Sequence, residues 1–207
     1  MKKVLVPTDF SSNAKAGIRF ALQWASQEDI ELVFIHVLHI LRASRWTNSY
    51  FIKYAEQEEL ICNDKFDKYI AEMLKKFSGK VPKYSKVIIN GIAPDLSIME
   101  YCKKHKDIDF ICLSTRGAGK VERIFGTNTG TLITKSDIPV IAIPKNYKVS
   151  KVQKIMYASD FKNYEEELTQ VVNFAKPLKA YLEVLHFSWP NEDDINAKKL
   201  EAEAKSK

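Results

Sequence analysis

Short, almost unbroken apolar runs alternate with stretches of helical periodicity from residue 3 to residue 143. Residues 3–7 form the first run, closed by Pro7. Ser11 and Ser12 then offer side-chain oxygens that suit a helix N-terminus, and Ala14, Ile18, Ala21 and Ala25 recur at the spacing of one helical face. Residues 31–38 are a second apolar run. The segment from about 49 to 77 predicts a long helix with Cys62, Phe66, Tyr69, Ile70, Met73 and Phe77 on its inner side, ended by Ser78-Gly79. Residues 85–90 predict a third strand, and Gly91 and Pro94 punctuate the way into a helix carrying Leu96, Met99 and Cys102. A fourth strand is predicted over 109–113, a glycine-bearing loop over 114–126, a short helix from Thr127, and a fifth strand over 138–143. Strands this apolar need cover on both faces, which is the condition of a parallel sheet flanked by helices.

The pattern then starts again. Lys154 to Phe161 (KIMYASDF) echoes Lys3 to Phe10 (KVLVPTDF), and the run Leu182 to His186 echoes Leu32 to His36. Asp160 follows Asp9 by 151 residues and His186 follows His36 by 150, so the two blocks hold nearly one register. Two matching blocks in that relation predict a duplication. The second copy breaks off: Asn191 to Lys207 is polar and rich in lysine and glutamate, with no second glycine loop. The expected organisation is one domain over 1–146 and a partial second repeat over 151–207.

Composition narrows the class without changing this picture. The 207 residues suit one domain and part of another, at ~100–200 residues per domain. Apolar residues at 45% and charged residues at 28% are ordinary for a globular protein. No run approaches the ~20 apolar residues that a membrane span needs, and Val4-Leu5-Val6 is too short for a signal-peptide core. A cytoplasmic protein with no membrane partner is expected. Cys62, Cys102 and Cys112 are scattered through apolar patterns, and read as reduced, packed thiols rather than disulfides or zinc ligands. The net charge of +6 fits a lysine-rich surface and would also attract an anionic ligand. Lys103-Lys104-His105-Lys106 lies near a predicted helix end, where cations complement the dipole. No ladder of aromatics and arginines accompanies it, so no nucleic-acid partner is expected.

Candidate chemistry collects at three strand ends. In an open parallel sheet, ligands sit beyond the carboxyl ends of the strands where the strand order reverses. Pro7-Thr8-Asp9 follows the first strand, His36-Val37 ends the second, and Ser114-Thr115-Arg116-Gly117 follows the fourth. The last leads through Gly119 to Gly126-Thr127-Asn128 at a predicted helix start, where backbone N–H groups and the helix dipole suit phosphate oxygens. Each residue has a plainer role beside this one. Asp9 also suits the ordering of a first turn, the glycines suit turn geometry, Arg116 and Lys120 suit a solvated surface, and His36 reads as a satisfied structural histidine.

Taken in order, the Pro7-Thr8-Asp9-Phe10-Ser11 start, the His36-Val37 strand end and the glycine loop resemble the universal stress protein family. The resemblance covers residues 2–144 as one full domain and 152 to about 190 as the start of a second. It implies an open five-stranded parallel sheet of order 3-2-1-4-5 with helices on both faces, plus a partial second copy. In nucleotide-binding members the loop reads Gly-x2-Gly-x9-Gly-(Ser/Thr); here it reads Ser114-x2-Gly117-x8-Gly126-Thr127, with serine for the opening glycine and one residue fewer. The resemblance places Pro7, Thr8 and Asp9 on the adenine side and Val37 against the base. It places Ser114 and Gly117 near the ribose and α-phosphate, and Gly126, Thr127 and Asn128 at the outer phosphates, with Mg²⁺ where the nucleotide carries it. The function implied is a stress-associated regulatory protein that binds ATP or a related adenine nucleotide as a switch or sensor input. Two alternatives stay open: a family member without nucleotide that acts by dimerisation or through an unknown protein partner, and a slow nucleotide hydrolase. No G-x-S-x-G, P-loop or HExxH motif is present, so no enzyme is expected. Tandem members pair their domains through final strands, so the strand near residues 140–143 is expected to pair between chains in a homodimer.

Overall fold

In a computed structural model, residues 1–115, 127–160 and 162–186 are described. They form β1 (Lys2–Pro7), α1 (Lys15–Ala25), β2 (Ile30–Leu38), α2 (Asn48–Lys75), β3 (Tyr84–Asn90), α3 (Pro94–Lys104), β4 (Phe110–Ser114), α4 (Thr127–Lys135) and β5 (Val140–Ile143). After these come β6 (Lys154–Ala158), α5 (Tyr164–Leu178) and β7 (Tyr181–Leu185). The first five strands make one parallel sheet in the order β3-β2-β1-β4-β5, as expected, and β6 and β7 make a separate parallel pair. The chain divides into two compact units, Met1–Lys151 and Val152–Lys207.

Alternation along the strands sends Leu5, Val33, Ile35, Ile111 and Leu113 to one face, where they meet Ile98 and Cys102 of α3 and Leu132 of α4 in one apolar cluster. Val4, Val6, Leu32 and Phe34 alternate to the other face and are wholly buried. Each such side chain contributes about 1.5–3 kcal/mol through lost apolar exposure. Over that face lie Ile18, Leu22 and Trp24 of α1, all buried, with the Trp24 ring edge-on to Phe110 at 5.2 Å. Only the second half of α2 is packed. Cys62, Phe66, Tyr69, Ile70 and Met73 are buried as the periodicity predicts, and Phe77, just past the helix, is half-buried.

Several boundaries differ from the sequence reading for local reasons. The fifth strand begins at Val140 rather than 138, because Pro139 has no N–H for the ladder and contributes only its carbonyl, which accepts from Ile111 N at 3.0 Å. The first helix begins at Lys15. Ser11 still accepts a bond from Ala14 N at 3.2 Å, but it closes the turn before the helix instead of capping the helix itself. The three cysteines are free and buried, as their apolar settings imply.

One contact sets how closely α1 lies on the sheet. A Cβ on Gly17 would stand 3.0 Å from Ser114 N and 3.1 Å from Leu113 C, so helix and strand meet backbone to backbone. Gly17→Ala gains about 1 kcal/mol of helix propensity against a cost of similar size for displacing β4. Gly17→Val cannot be absorbed, and an expected loss of about 2 kcal/mol or more follows from overpacking against an immobile backbone. Urea denaturation reads it out; a Gly17→Val midpoint equal to that of the wild type would refute the contact.

Candidate functional site

The sheet reverses its strand order between β1 and β4, and a cleft of about 170 Å³ opens at the carboxyl ends of these strands. Pro7, Thr8 and Asp9 line it from β1, His36 and Val37 from β2, and Ser114 from β4. Thr127, Asn128 and Thr129 of α4 close another side, and Ile98 and Leu132 give it an apolar floor. Seven of the sequence-predicted site residues, Pro7, Thr8, Asp9, Val37, Ser114, Thr127 and Asn128, thus stand around one cleft. Gly117 and Gly126, with Arg116, Gly119 and Lys120, lie outside the described residues.

The turn after β1 is held by its own polar atoms. Thr8 N donates to Ile35 O at 2.9 Å, which carries the β1–β2 ladder one step past the strand. Thr8 Oγ1 accepts from Phe10 N at 3.1 Å and Asp9 Oδ1 accepts from Ser11 N at 2.9 Å. Phe10 sits in the left-handed region at φ 61°, a conformation that costs a non-glycine residue about 1 kcal/mol or more. Its ring offsets that cost by packing: it stacks on His36 at 4.2 Å and meets Phe66 and Tyr69 edge-on at 5.2 and 5.5 Å. Lys65 Nζ stands 4.8 Å from the centre of the same ring.

His36 is the second anchor of this turn. Its Nδ1 lies 2.8 Å from Thr8 O; a carbonyl only accepts, so Nδ1 carries the proton in the neutral ring. The histidine is therefore tied to the backbone of the β1 exit, the structural role that its apolar strand suggests. The same wiring recurs in the second unit. Ser159 N donates to Leu185 O at 3.0 Å, His186 Nδ1 lies 2.8 Å from Ser159 O, and Asp160 Oδ1 accepts from Lys162 N at 3.1 Å.

Ser114 has its hydroxyl committed to the fold. Its Oγ accepts from Gly17 N at 2.7 Å and donates to Ala14 O at 3.2 Å, which fastens the start of α1 to the end of β4. Its carbonyl faces Thr129 Oγ1 at 3.5 Å. Thr127 and Asn128 are exposed in the first turn of α4, where unpaired N–H groups and the helix dipole favour an anion. Sequence reasoning missed Asn13, which lines the cleft and whose Oδ1 is buried without a hydrogen-bond partner. It lies in the turn before α1, and no pattern in the sequence marks it. Asp9 is the one carboxylate among the described lining residues, and no group of three His, Cys, Asp or Glu among the described residues is placed to hold a metal. No helix among the described residues is long and apolar enough to cross a membrane.

Burial lowers the His36 pKa from its ordinary value of 6.5, against the opposing pull of the Thr8 carbonyl. The unfolded chain therefore takes up this proton before the folded one as pH falls, so stability is full above about 6.5 and declines below it. Glu72, held down at about 2 by Lys76 and Lys15, loses its contribution only below its ordinary 4.5 and does not confuse the window. Melting temperatures between about pH 7 and about pH 5 should fall less in His36→Asn, which keeps a donor near the Nδ1 position and does not titrate. Equal falls in the two proteins would show that His36 is not the titrating group.

The model of the Universal stress protein family matches residues 1–144. Universal stress protein UspA from Lactobacillus plantarum is 23% identical, covering 69% of this chain and 97% of its own with a TM-score of 0.55. A universal stress protein from Archaeoglobus fulgidus DSM 4304 is 15% identical, covering 99% of this chain and 74% of its own with a TM-score of 0.72. Nucleotide complexes occur among more distant likenesses: the universal stress protein from Archaeoglobus fulgidus in complex with dAMP is 18% identical, covers 69% of this chain and 98% of its own, and has a TM-score of 0.47. No curated protein matches the chain. With its sheet order, its strand-end cleft and a family match over residues 1–144, the chain belongs to the universal stress protein family.

Proposed function

We propose that this chain is a regulatory protein that binds ATP or a related adenine nucleotide in the cleft at the β1/β4 reversal, without turnover. The observation that carries the reading is the convergence on one cleft of Asp9, Val37, Ser114 and the exposed first turn of α4. Val37, Ile98 and Leu132 offer apolar surface to a base, and the N-terminus of α4 offers N–H groups to phosphates. Mg²⁺ would be held chiefly by the phosphates, with Asp9 as the nearest carboxylate of the described lining. Bound nucleotide would act by favouring one arrangement of the cleft over another. The second unit is read as a partial second copy, a reading supported by the repeated Ser159–Leu185–His186 wiring.

Isothermal titration tests the site with ATP, AMP and adenosine in the presence of Mg²⁺. The wild type is expected to bind ATP with micromolar Kd. Asn128→Asp places a negative charge among the N–H groups of α4 and should weaken ATP about tenfold, AMP less, and adenosine not at all. The melting temperature should hold or rise, because an acid in the first turn suits the helix dipole. A wild type that binds none of the three ligands would end the reading.

A second reading concerns assembly. β5 pairs with β4 on one side and is the edge of the sheet, with Val140 and Ile141 only partly covered. An apolar edge invites pairing with another chain, and a homodimer through β5 is expected. Sedimentation at micromolar concentration should give twice the chain mass of 23.8 kDa, and a monomer would sink the dimer.

A further inference from the structure

The first half of α2 is held in place although it covers nothing. No residue from 48 to 61 is buried, and the sheet-facing core of the helix starts at Cys62. Yet Thr47 caps the helix, its Oγ1 accepting from Tyr50 N at 3.2 Å. Arg42 donates to Trp46 O at 3.0 Å, and its guanidinium carbon lies 5.6 Å from the centre of the Phe51 ring. Trp46 in turn meets the Tyr50 and Tyr54 rings at 5.1 and 4.8 Å. The result is a fixed aromatic ridge on a stretch about 20 Å long, at ~1.5 Å of rise per residue. Tyr50, Tyr54 and Ile61 recur at i, i+4 and i+11, on one side of the helix, with Leu60 beside Ile61. Tyr50, Leu60 and Ile61 are 54%, 70% and 55% exposed. Apolar residues at that spacing form the seam by which one helix packs on another, and the ordering that such packing needs is already in place.

Charge says what packs there. Between residues 41 and 55 the charged side chains are Arg42, Arg45 and Lys53, with no acid; between 54 and 63 they are Glu56, Glu58 and Glu59, with no base. Among the described residues, Arg45, Lys53, Glu56 and Glu59 make no ion pair, whereas the next acids, Asp64 and Asp67, are paired with Lys68 and Lys86. A seam basic at one end and acidic at the other is complementary to itself turned end for end. A parallel copy would set like charges side by side, and an anionic bilayer or a wholly acidic partner would meet the glutamates.

We propose that two copies of this chain pair antiparallel through the first halves of α2, about a two-fold axis. The Tyr50–Tyr54–Ile61 seam of each faces that of the other, and the basic stretch of each lies along the acidic stretch of its partner. The contact uses neither the strand-end cleft nor the β5 edge, so it stands or falls apart from the readings above.

Sedimentation velocity on two charge-reversed variants tests it, one carrying Arg45→Glu and Lys53→Glu, the other Glu56→Lys and Glu58→Lys. Each variant presents one sign of charge along the whole seam, so each alone should self-associate about tenfold more weakly than the wild type or worse. Mixed in equal amounts, the two should associate at least as tightly as the wild type, a recovery that misfolded chains could not give. Tyr50→Ala with Ile61→Ala, which keeps every charge, should also weaken self-association. The β5 edge is the same in all these proteins and would leave them alike. If the variants sediment as the wild type does, or if mixing restores nothing, the α2 contact is wrong. A wild type whose sedimentation is unchanged by Tyr50→Ala with Ile61→Ala would equally overturn it.

Discussion

The first turn of α1 lies directly on the backbone of β4, and the cleft depends on that approach. Gly17 permits it, since any Cβ there would press on Ser114 N and Leu113 C. Ser114 then uses the closeness, taking a bond from Gly17 N and giving one to Ala14 O. A helix held further out would leave these groups for water and would move Asn13 and the β1 exit turn away from α4. The distance between α1 and β4 beside the strand-order reversal is therefore set by a residue with no side chain and a hydroxyl with both functions filled. The Ser114 hydroxyl is thus turned to the helix backbone.

The exit from β1 is built by a different economy of atoms. Three successive residues each satisfy a neighbour: Thr8 through its N–H, carbonyl and hydroxyl, Asp9 through one carboxylate oxygen, and Phe10 through its ring. The left-handed backbone at Phe10 is tolerated because the ring gains His36, Phe66 and Tyr69 as neighbours. Such a turn cannot relax one bond without losing others, which keeps Asp9 in place at the cleft rim. The second unit repeats the N–H and carbonyl bonds of Thr8 in Ser159, with His186 and Asp160 in the places of His36 and Asp9, on a parallel pair of the same relative register. The wiring is thus a property of the short sequence block, legible twice in one chain.

The parallel sheet and most helix faces were legible in the sequence for a physical reason, whereas the strand order was implied by the family resemblance. Strands covered on both faces must be apolar at nearly every position, and residues such as Val4, Leu5 and Val6 announce this directly. The cleft was legible as a set of strand ends, because Pro7, Val37 and Ser114 each follow an apolar run and the family pattern orders them. What stayed hidden depends on three-dimensional approach. The commitment of Ser114 to Gly17 and Ala14 joins residues about a hundred positions apart, and nothing in either segment states it. Nothing in the sequence singles out Asn13, and only its burial in the fold reveals that its side-chain oxygen has no partner. The late start of β5 was readable in principle, since Pro139 lacks the N–H that a strand interior needs.

The cleft is chemically divided, and the division restricts what can fill it well. One part carries an acceptor, the Asp9 carboxylate; another carries the N-terminus of α4, which favours negative charge; and Ile98 and Leu132 give the floor an apolar surface. Inorganic phosphate would satisfy the helix end and leave the carboxylate alone. A free base would cover the floor and leave the helix end to water. A ligand that carries an anion, hydroxyl donors and a flat apolar body in one covalent unit meets all three, and the cost of ordering it is met once rather than three times. On the proposed reading this is why a nucleotide, and not one of its pieces, is the ligand that the two sides of the switch point are spaced to receive.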